Sequence, residues 1–148
     1  MKKIISSLFV LTLIFSTLLF SQDKKTDNNV TRDGVFIHIS SGYDNPHKVV
    51  MALKMATMMA DDKDVLVYLD IKAVEFILKH NKDVTYPTFP SARESIKLLL
   101  DQGITICVCP GCLKAAGKSA GDLMPGIEIA QKDKFFGFTK GRILTLDY

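Results

Sequence analysis

The sequence predicts an α/β three-layer sandwich built on a mainly parallel sheet of five strands. Short runs rich in β-branched residues alternate with stretches of helical periodicity along most of the chain. The connections between these runs are short, and the first run is apolar on both faces, as buried parallel strands are. The length of 148 residues fits one domain with a substantial core.

Residues 1–21 precede the predicted fold and have the layout of a secretory signal peptide. Two lysines are followed by an almost uninterrupted apolar stretch, Leu8 to Phe20, and then by polar residues. Three hydroxyl side chains interrupt this stretch, which argues against a membrane span of ~20 apolar residues. We therefore expect cleavage after Ser21, a periplasmic or secreted protein, and membrane contact only through an uncleaved signal. Residues 22–33 are nearly free of apolar side chains and are predicted to be a flexible lead-in.

Capping signals indicate where the predicted helices begin. Asn45 can cap the first helix, and Pro46 suits its first turn, where a missing N–H costs nothing. Asp70 can cap the second helix. Ser91 and Glu94 have the spacing of a capping box and begin the third. The predicted strands are 35–40, 65–69, 104–108, 127–130 and 142–146; the predicted helices are 47–60, 73–80, 91–102 and 113–119, with a short helix or turn over 132–139.

One segment, Cys107-Val108-Cys109-Pro110-Gly111-Cys112, contains all three cysteines of the chain. Cys107 and Cys109 are two apart on the third strand and so share a face, while Cys109 and Cys112 straddle the turn into a helix. Unpaired N–H groups and the helix dipole favour a thiolate there, so Cys109 is the predicted nucleophile and Cys112 its partner. Cys107 is either an inert buried thiol or part of the site. The loops at 40–44, at Asp70 and at 109–112 should converge at one edge of the sheet.

Three chemical hypotheses fit this segment. Cys109 can accept a sulfane sulfur as a persulfide, or attack a disulfide, and Cys112 can then resolve the adduct. The C-x-x-C sequence can act as a thioredoxin-like redox pair, although the thioredoxin motif follows an earlier strand. The three thiolates can also bind Zn²⁺ or Cu⁺, although the second ligand pair expected for zinc is absent from the sequence.

Other classes of function find no support in the sequence. The formal net charge of +3 is scattered, without a basic run interleaved with aromatic residues, so no nucleic acid partner is expected. Neither a Gly-x-Gly-x-x-Gly sequence nor a P-loop occurs, and no cofactor is predicted. His38 on the first strand and His47 in the first helix are weaker candidates for the site. The apolar, aromatic segments 86–89 and 135–138 suit either a pocket wall or a subunit contact.

Three segments resemble the DsrE/DsrF-like family: Val35-Phe36-Ile37-His38-Ile39-Ser40-Ser41-Gly42, the third strand running into Cys109-Pro110-Gly111-Cys112-Leu113, and Asp122-Leu123-Met124-Pro125-Gly126-Ile127-Glu128. The resemblance spans about residues 34–148. It implies a flavodoxin-like sandwich, oligomers of two to six subunits, and a cysteine that carries persulfide sulfur in a relay; Cys109 matches that cysteine. The predicted export and the additional Cys107 and Cys112 depart from the cytoplasmic relay members.

Two hypotheses of different classes follow from the residues and the resemblance. The first is an exported sulfur-handling or thiol-redox protein that uses Cys109 with Cys112. Its expected partners are further copies of itself, and a protein that donates or accepts sulfur is a candidate partner. The alternative is a non-catalytic oligomeric binding module whose cysteines form a structural disulfide or bind a soft metal.

Overall fold

A sheet of five parallel strands organises residues 31–148, the part of the chain that this computed structural model describes. The strands are β1 (Gly34–Ile39), β2 (Asp64–Leu69), β3 (Thr105–Val108), β4 (Glu128–Ile129) and β5 (Ile143–Asp147). Their order across the sheet is β4-β3-β2-β1-β5, and every pair of neighbours is parallel. The predicted fold class is confirmed.

The predicted signal peptide, residues 1–21, and most of the predicted lead-in lie outside the described residues. Both therefore remain predictions from the sequence. Within residues 31–148, no helix has the length and apolar character needed to cross a bilayer.

The helices follow the predicted capping signals in two of three cases. Asn45 caps the first helix through Lys48 N–H, and the capping box of Ser91 and Glu94 is complete, with Ser91 N–H donating to Glu94 Oε2 at 2.8 Å. The prediction that Asp70 caps the second helix is wrong, because Lys72 holds the cap position and makes no side-chain cap. The helices are α1 (Pro46–Met59), α2 (Ala73–Phe76), α3 (Ala92–Asp101), α4 (Pro110–Ala115) and α5 (Lys132–Phe136), and a single 3₁₀ turn spans Ala120–Asp122.

Helices α2 and α4 have bounds that differ from the predicted ones, each for an identifiable reason. Helix α2 ends at Phe76 instead of His80, because the following backbone pairs with another segment: Lys79 N–H donates to Asp122 O and Met124 N–H to Ile77 O, each at 2.9 Å. Helix α4 begins at Pro110 instead of Leu113. It ends before Gly117, whose φ of +68° lies in the left-handed region that glycine adopts freely.

One face of the sheet carries the main core. Side chains alternate between faces along each strand, and the parallel register aligns those of neighbouring strands. The buried set on this face packs against α1 and α3, and Leu113 of α4 joins it. The strand residues of this core are Val35, Ile37, Ile39, Val65, Val67, Leu69, Ile106 and Val108.

The opposite face is only thinly covered. The three connections β1–β2, β2–β3 and β3–β4 each lead to the next strand in the same direction across the sheet. The last connection runs in the opposite direction, from β4 at one edge to β5 at the other, beyond β1. Right-handed crossovers then place the helix of this last connection on the other face. That helix, α5, has five residues, and its Phe135 ring packs against Phe36 and Tyr68 at centroid distances of 4.9 and 5.0 Å. The polar side chains described next lie on this thinly covered face.

Candidate functional site

The loops that follow β1, β2 and β3 meet at the carboxyl edge of the sheet, as expected from the sequence. Asp70 N–H donates to Ile39 O at 3.1 Å, and Cys109 N–H donates to Leu69 O at 2.9 Å. Gly42 permits the close approach of the first two loops, since a Cβ there would lie 2.5 Å from Lys72 O. The connections after β3 and β4 leave toward opposite faces, and such a change of direction opens a crevice where ligands bind in open α/β sheets.

Cys109 is the N-cap residue of α4, and its side chain is half-buried. Its Sγ accepts a hydrogen bond from Cys112 N–H at 3.3 Å. Burial opposes ionisation, but hydrogen bonds from the Cys112 thiol, the Cys112 and Gly111 amides and the Tyr68 hydroxyl outweigh it and lower the pKa of Cys109. Because α4 has only six residues, these local donors, more than a long helix dipole, stabilise the thiolate.

Cys112 lies one turn into α4, beside Cys109. The backbone N–H of Ile71 donates to its sulfur and favours the thiolate, but the Cys109 sulfur, burial and the charge of Asp70 outweigh this donor and raise the pKa of Cys112. The two sulfurs of the C-x-x-C sequence therefore differ, since one is set to ionise first and the other to stay protonated. In the structure all three cysteines are free thiols.

Ile71 holds an unusual backbone conformation next to this pair. Its φ of +45° lies in the left-handed region, which a β-branched residue rarely adopts, and its side chain is 62% exposed. Strain of this kind persists where the surrounding structure requires one geometry. Here the residues on both sides of Ile71 are held by hydrogen bonds, from Asp70 N–H to Ile39 O at 3.1 Å and from Lys72 N–H to Ser40 O at 3.2 Å.

Cys107 shares the sheet face of Cys109 but differs from it in its surroundings. Its side chain is 5% exposed, and its register partner on β4 is Glu128. Burial, with a smaller effect of Glu128, raises the pKa of Cys107 to about 11. Of the two alternatives left open by the sequence, the structure places Cys107 in the environment of an inert thiol.

His38 lies between two carboxylates on the same face. Its Nδ1–H donates to Asp147 Oδ1 at 2.7 Å, and its Nε2 lies 3.0 Å from Asp70 Oδ1, close enough for an ion pair although not aligned as a hydrogen bond. Burial would lower the pKa of His38, but the contacts with Asp147 and Asp70 raise it overall. Its ring centroid is 5.6 Å from that of Tyr68.

Tyr68, Ile71 and Asp147 were not among the residues that the sequence singles out. Tyr68 is the register neighbour of His38 on one side and of Cys107 on the other, and its hydroxyl reaches the Cys109 sulfur. Tyr68 could have been recognised from the sequence as a polar side chain close to the carboxyl end of a predicted strand. Only the strand order reveals that Asp147 stands opposite His38.

His47 and the first predicted aromatic segment, 86–89, do not join this cluster, whereas Phe135 of the second segment packs against Tyr68, which is part of it. His47 stacks on Tyr86 with ring centroids 4.2 Å apart, and Phe89 meets it edge-on at 5.5 Å. Phe135 packs over Phe36 and Tyr68 on the sheet face that carries the cluster. The two aromatic segments thus form separate clusters and do not wall one pocket together.

The hypothesis of a soft-metal site finds no support in the described part of the chain. Among residues 31–148, no three His, Cys, Asp or Glu side chains are placed to hold a metal ion together.

Comparison with known proteins identifies one family and several similar solved structures, two of which follow. The model of the DsrE/DsrF-like family matches residues 33–141. The crystal structure of YchN from E. coli shares 17% identity with the chain over 78% of it and 99% of YchN, with a TM-score of 0.54. MTH1491, a protein of unknown function from Methanobacterium thermoautotrophicum, shares 18% identity at the same coverages, also with a TM-score of 0.54. No curated protein matches the sequence significantly.

Proposed function

The chain belongs to the DsrE/DsrF-like family, which is related to sulfur relay, and on this premise we propose that Cys109 accepts a sulfane sulfur or attacks a disulfide and that Cys112 resolves the adduct. The observation that carries the proposal is the asymmetry of the two thiols. Hydrogen bonds lower the pKa of Cys109, against the effect of its burial, while the adjacent Cys112 ionises less readily. A nucleophile paired with a slower second thiol is what transfer followed by resolution requires.

The first step is the attack of the Cys109 thiolate on the outer sulfur of a donor persulfide. The bond between the two sulfurs of the donor breaks, and the donor leaves as a thiolate. Cys109 then carries the transferred sulfur, which keeps its proton. No external oxidant is needed, because the donor supplies sulfur already at the sulfane oxidation level.

In the second step the Cys112 thiolate attacks the Cys109 sulfur. A disulfide between Cys109 and Cys112 forms, and the transferred sulfur leaves as hydrosulfide. With a disulfide substrate, the same two attacks release the substrate as two thiols. Transfer of the sulfur to an acceptor protein before this second attack gives the carrier form of the function.

Exposure to glutathione persulfide, followed by mass spectrometry of the intact protein and its peptides, tests the proposal. We expect Cys109→Ser to abolish the added mass of one sulfur. Cys112→Ser should retain that mass on Cys109 and hold it longer, because attack needs only the nucleophile whereas resolution needs the partner. Cys107→Ser is the matched control and should behave as the parent protein. Undiminished sulfur uptake by Cys109→Ser would overturn the assignment.

Two properties predicted from the sequence belong to the same proposal. We expect the mature chain to begin near Gln22 and to work outside the cytoplasm, which N-terminal sequencing from the native host would check; Met1 on most molecules would contradict it.

We also expect a homo-oligomer, motivated by the family resemblance and by apolar side chains such as Phe136, Ile143 and Leu144, which are exposed in the single chain. A monomer mass in light scattering at micromolar concentration would contradict that.

A further inference from the structure

His38, Asp70 and Asp147 form a charged cluster that the sulfur chemistry described above does not use. The cluster connects three strands, since the residues lie on β1, immediately after β2, and on β5. Asp70 Oδ1 and His38 Nε2 are shielded from solvent, and among the described residues neither has a hydrogen-bond partner. Their 3.0 Å separation therefore makes His38 the counter-charge of Asp70, while Asp147 is a second carboxylate on His38 at 2.7 Å.

The inner end of this cluster reaches the thiol pair. Asp70 follows Leu69, whose carbonyl oxygen accepts a hydrogen bond from Cys109 N–H at 2.9 Å, so the Asp70 loop lies beside the thiol pair. The negative charge of Asp70 is consequently close enough to oppose the ionisation of Cys112 and of Tyr68. The outer end is Asp147, whose side chain is mostly exposed.

The surroundings of His38 limit which charges can influence it. Strand β2 contributes Asp70 and Tyr68, and β5 contributes Asp147. Helix α5 covers this face with the uncharged ring of Phe135, and its Lys134 is paired with Glu128. The thiols of Cys109 and Cys112 lie on this side of Asp70, and Cys107 is the register neighbour of Tyr68 on β3.

We propose, building on the proposed function, that His38 is a positioning residue for the thiol pair: its positive charge offsets that of Asp70, so that Cys112 ionises more readily while His38 is protonated. The imidazole contacts neither sulfur and takes no proton from either. Its effect is electrostatic and reversible with pH. The thiolate fraction of Cys112, and with it the resolving step, therefore gains less from a rise in pH across the His38 titration than that of an isolated thiol would.

The pH dependence of Cys112 alkylation distinguishes this role from a purely structural one. Alkylation by iodoacetamide in a Cys109→Ser background reports the thiolate fraction of Cys112 without any sulfur donor. For an isolated thiol the logarithm of the rate rises with unit slope below its pKa. We expect a slope below one across the pH range in which His38 loses its proton.

Three variants test the direction in which each charge changes the alkylation rate of Cys112. His38→Gln should restore unit slope and slow the reaction about threefold to tenfold near pH ~6. Asp70→Asn should accelerate it throughout. The double variant His38→Gln with Asp70→Asn, which removes both charges of the pair, should return the rate near pH ~6 to about that of the parent and show unit slope. His80→Gln, which changes an exposed histidine outside the cluster, is the matched control and should leave the profile unchanged.

A slope of one in the Cys109→Ser protein with His38 and Asp70 intact would overturn the proposal. So would changes of the alkylation rate in the same direction for His38→Gln and Asp70→Asn. If His38→Gln does not fold, the slopes of the parent and of the double variant decide. Because the assay contains no sulfur donor, its result is separate from the sulfur-uptake experiment. Sulfur uptake by Cys109→Ser would overturn the proposed function, but the pH dependence of Cys112 alkylation would still test the role of His38.

Discussion

Cys107 lies on β3 and Cys109 directly follows that strand as the N-cap of α4, and their thiols depart from the ordinary pKa in opposite directions. Burial, with Glu128 beside it, raises the pKa of Cys107 to about 11. Burial also opposes the ionisation of Cys109, but the surrounding N–H, S–H and O–H donors lower its pKa. The difference arises where β3 ends, because the chain passes there from a packed strand to a turn with unpaired amides.

The first prediction follows from this difference. In the native protein, alkylation of Cys109 should persist below pH ~8.5, and Cys107 should react only after unfolding. Quenched alkylation at a series of pH values, analysed by peptide mass spectrometry, measures both rates in one sample. The same reaction in denaturant is the control, since it should remove the distinction. Equal native rates for the two cysteines would show that the active sulfur has been misassigned.

A second prediction concerns the hydroxyl of Tyr68. Tyr68→Phe removes one donor from the Cys109 sulfur and should raise the pKa of that thiol. Hydrogen bonds to charged groups contribute about 1.5–3 kcal/mol when protected from water, and partial exposure reduces this, so we expect a several-fold slower alkylation near neutral pH. Tyr43→Phe is the matched control, because the Tyr43 hydroxyl donates to Lys82 O instead. Indistinguishable rates for Tyr68→Phe and the parent would contradict the assigned contact.

The third prediction concerns the strained residue Ile71. An L-residue in the left-handed region costs about 1–2 kcal/mol, and glycine adds a smaller entropic penalty of about 0.5–1 kcal/mol. Ile71→Gly should therefore leave the free energy of unfolding unchanged or raise it by up to about 1 kcal/mol. Ile143, an exposed isoleucine in β5, is the matched comparison, and Ile143→Gly should destabilise. Denaturant melts measure both, and a large loss in Ile71→Gly would mean that its conformation is not strained.

The fourth prediction concerns the capping box of α3. Ser91→Ala removes the acceptor for Glu94 N–H and should cost about 1 kcal/mol of stability, which lowers Tm by roughly 3–6 °C in a domain of this size. Glu94→Gln retains an acceptor for Ser91 N–H and should cost less. Thermal melts followed by circular dichroism check both. A smaller loss in Ser91→Ala than in Glu94→Gln would contradict the cap.

The predictable parts of the fold are those encoded by neighbouring residues. The caps at Asn45 and Ser91 depend on side chains that lie within three residues of their targets, and both are present in the structure. The second helix was predicted too long because its periodicity continues, whereas the backbone after Phe76 pairs with residues near Leu123, far along the chain. No local pattern contains that competing partner.

In the candidate site too, some residues can be identified from the sequence and others are brought together only by the fold. The sequence singles out Cys109 and Cys112 because they are close together and of a reactive type. His38 and Asp147 are 109 positions apart and come together only because β5 crosses the sheet to pair with β1. The charge environment of the thiols therefore depends on strand order, which the sequence indicated only as a mainly parallel sheet.

The hydrogen bond from Cys112 N–H to the Cys109 sulfur also links chemistry to shape. The same sulfur caps α4, a six-residue helix that is too short to be stable by itself. A sulfur that has bonded to another atom is a poorer acceptor than a thiolate, and weakening a cap costs about 0.5–2 kcal/mol. If Cys109 carries sulfur as proposed, we expect loading to weaken this cap and to loosen residues 110–115.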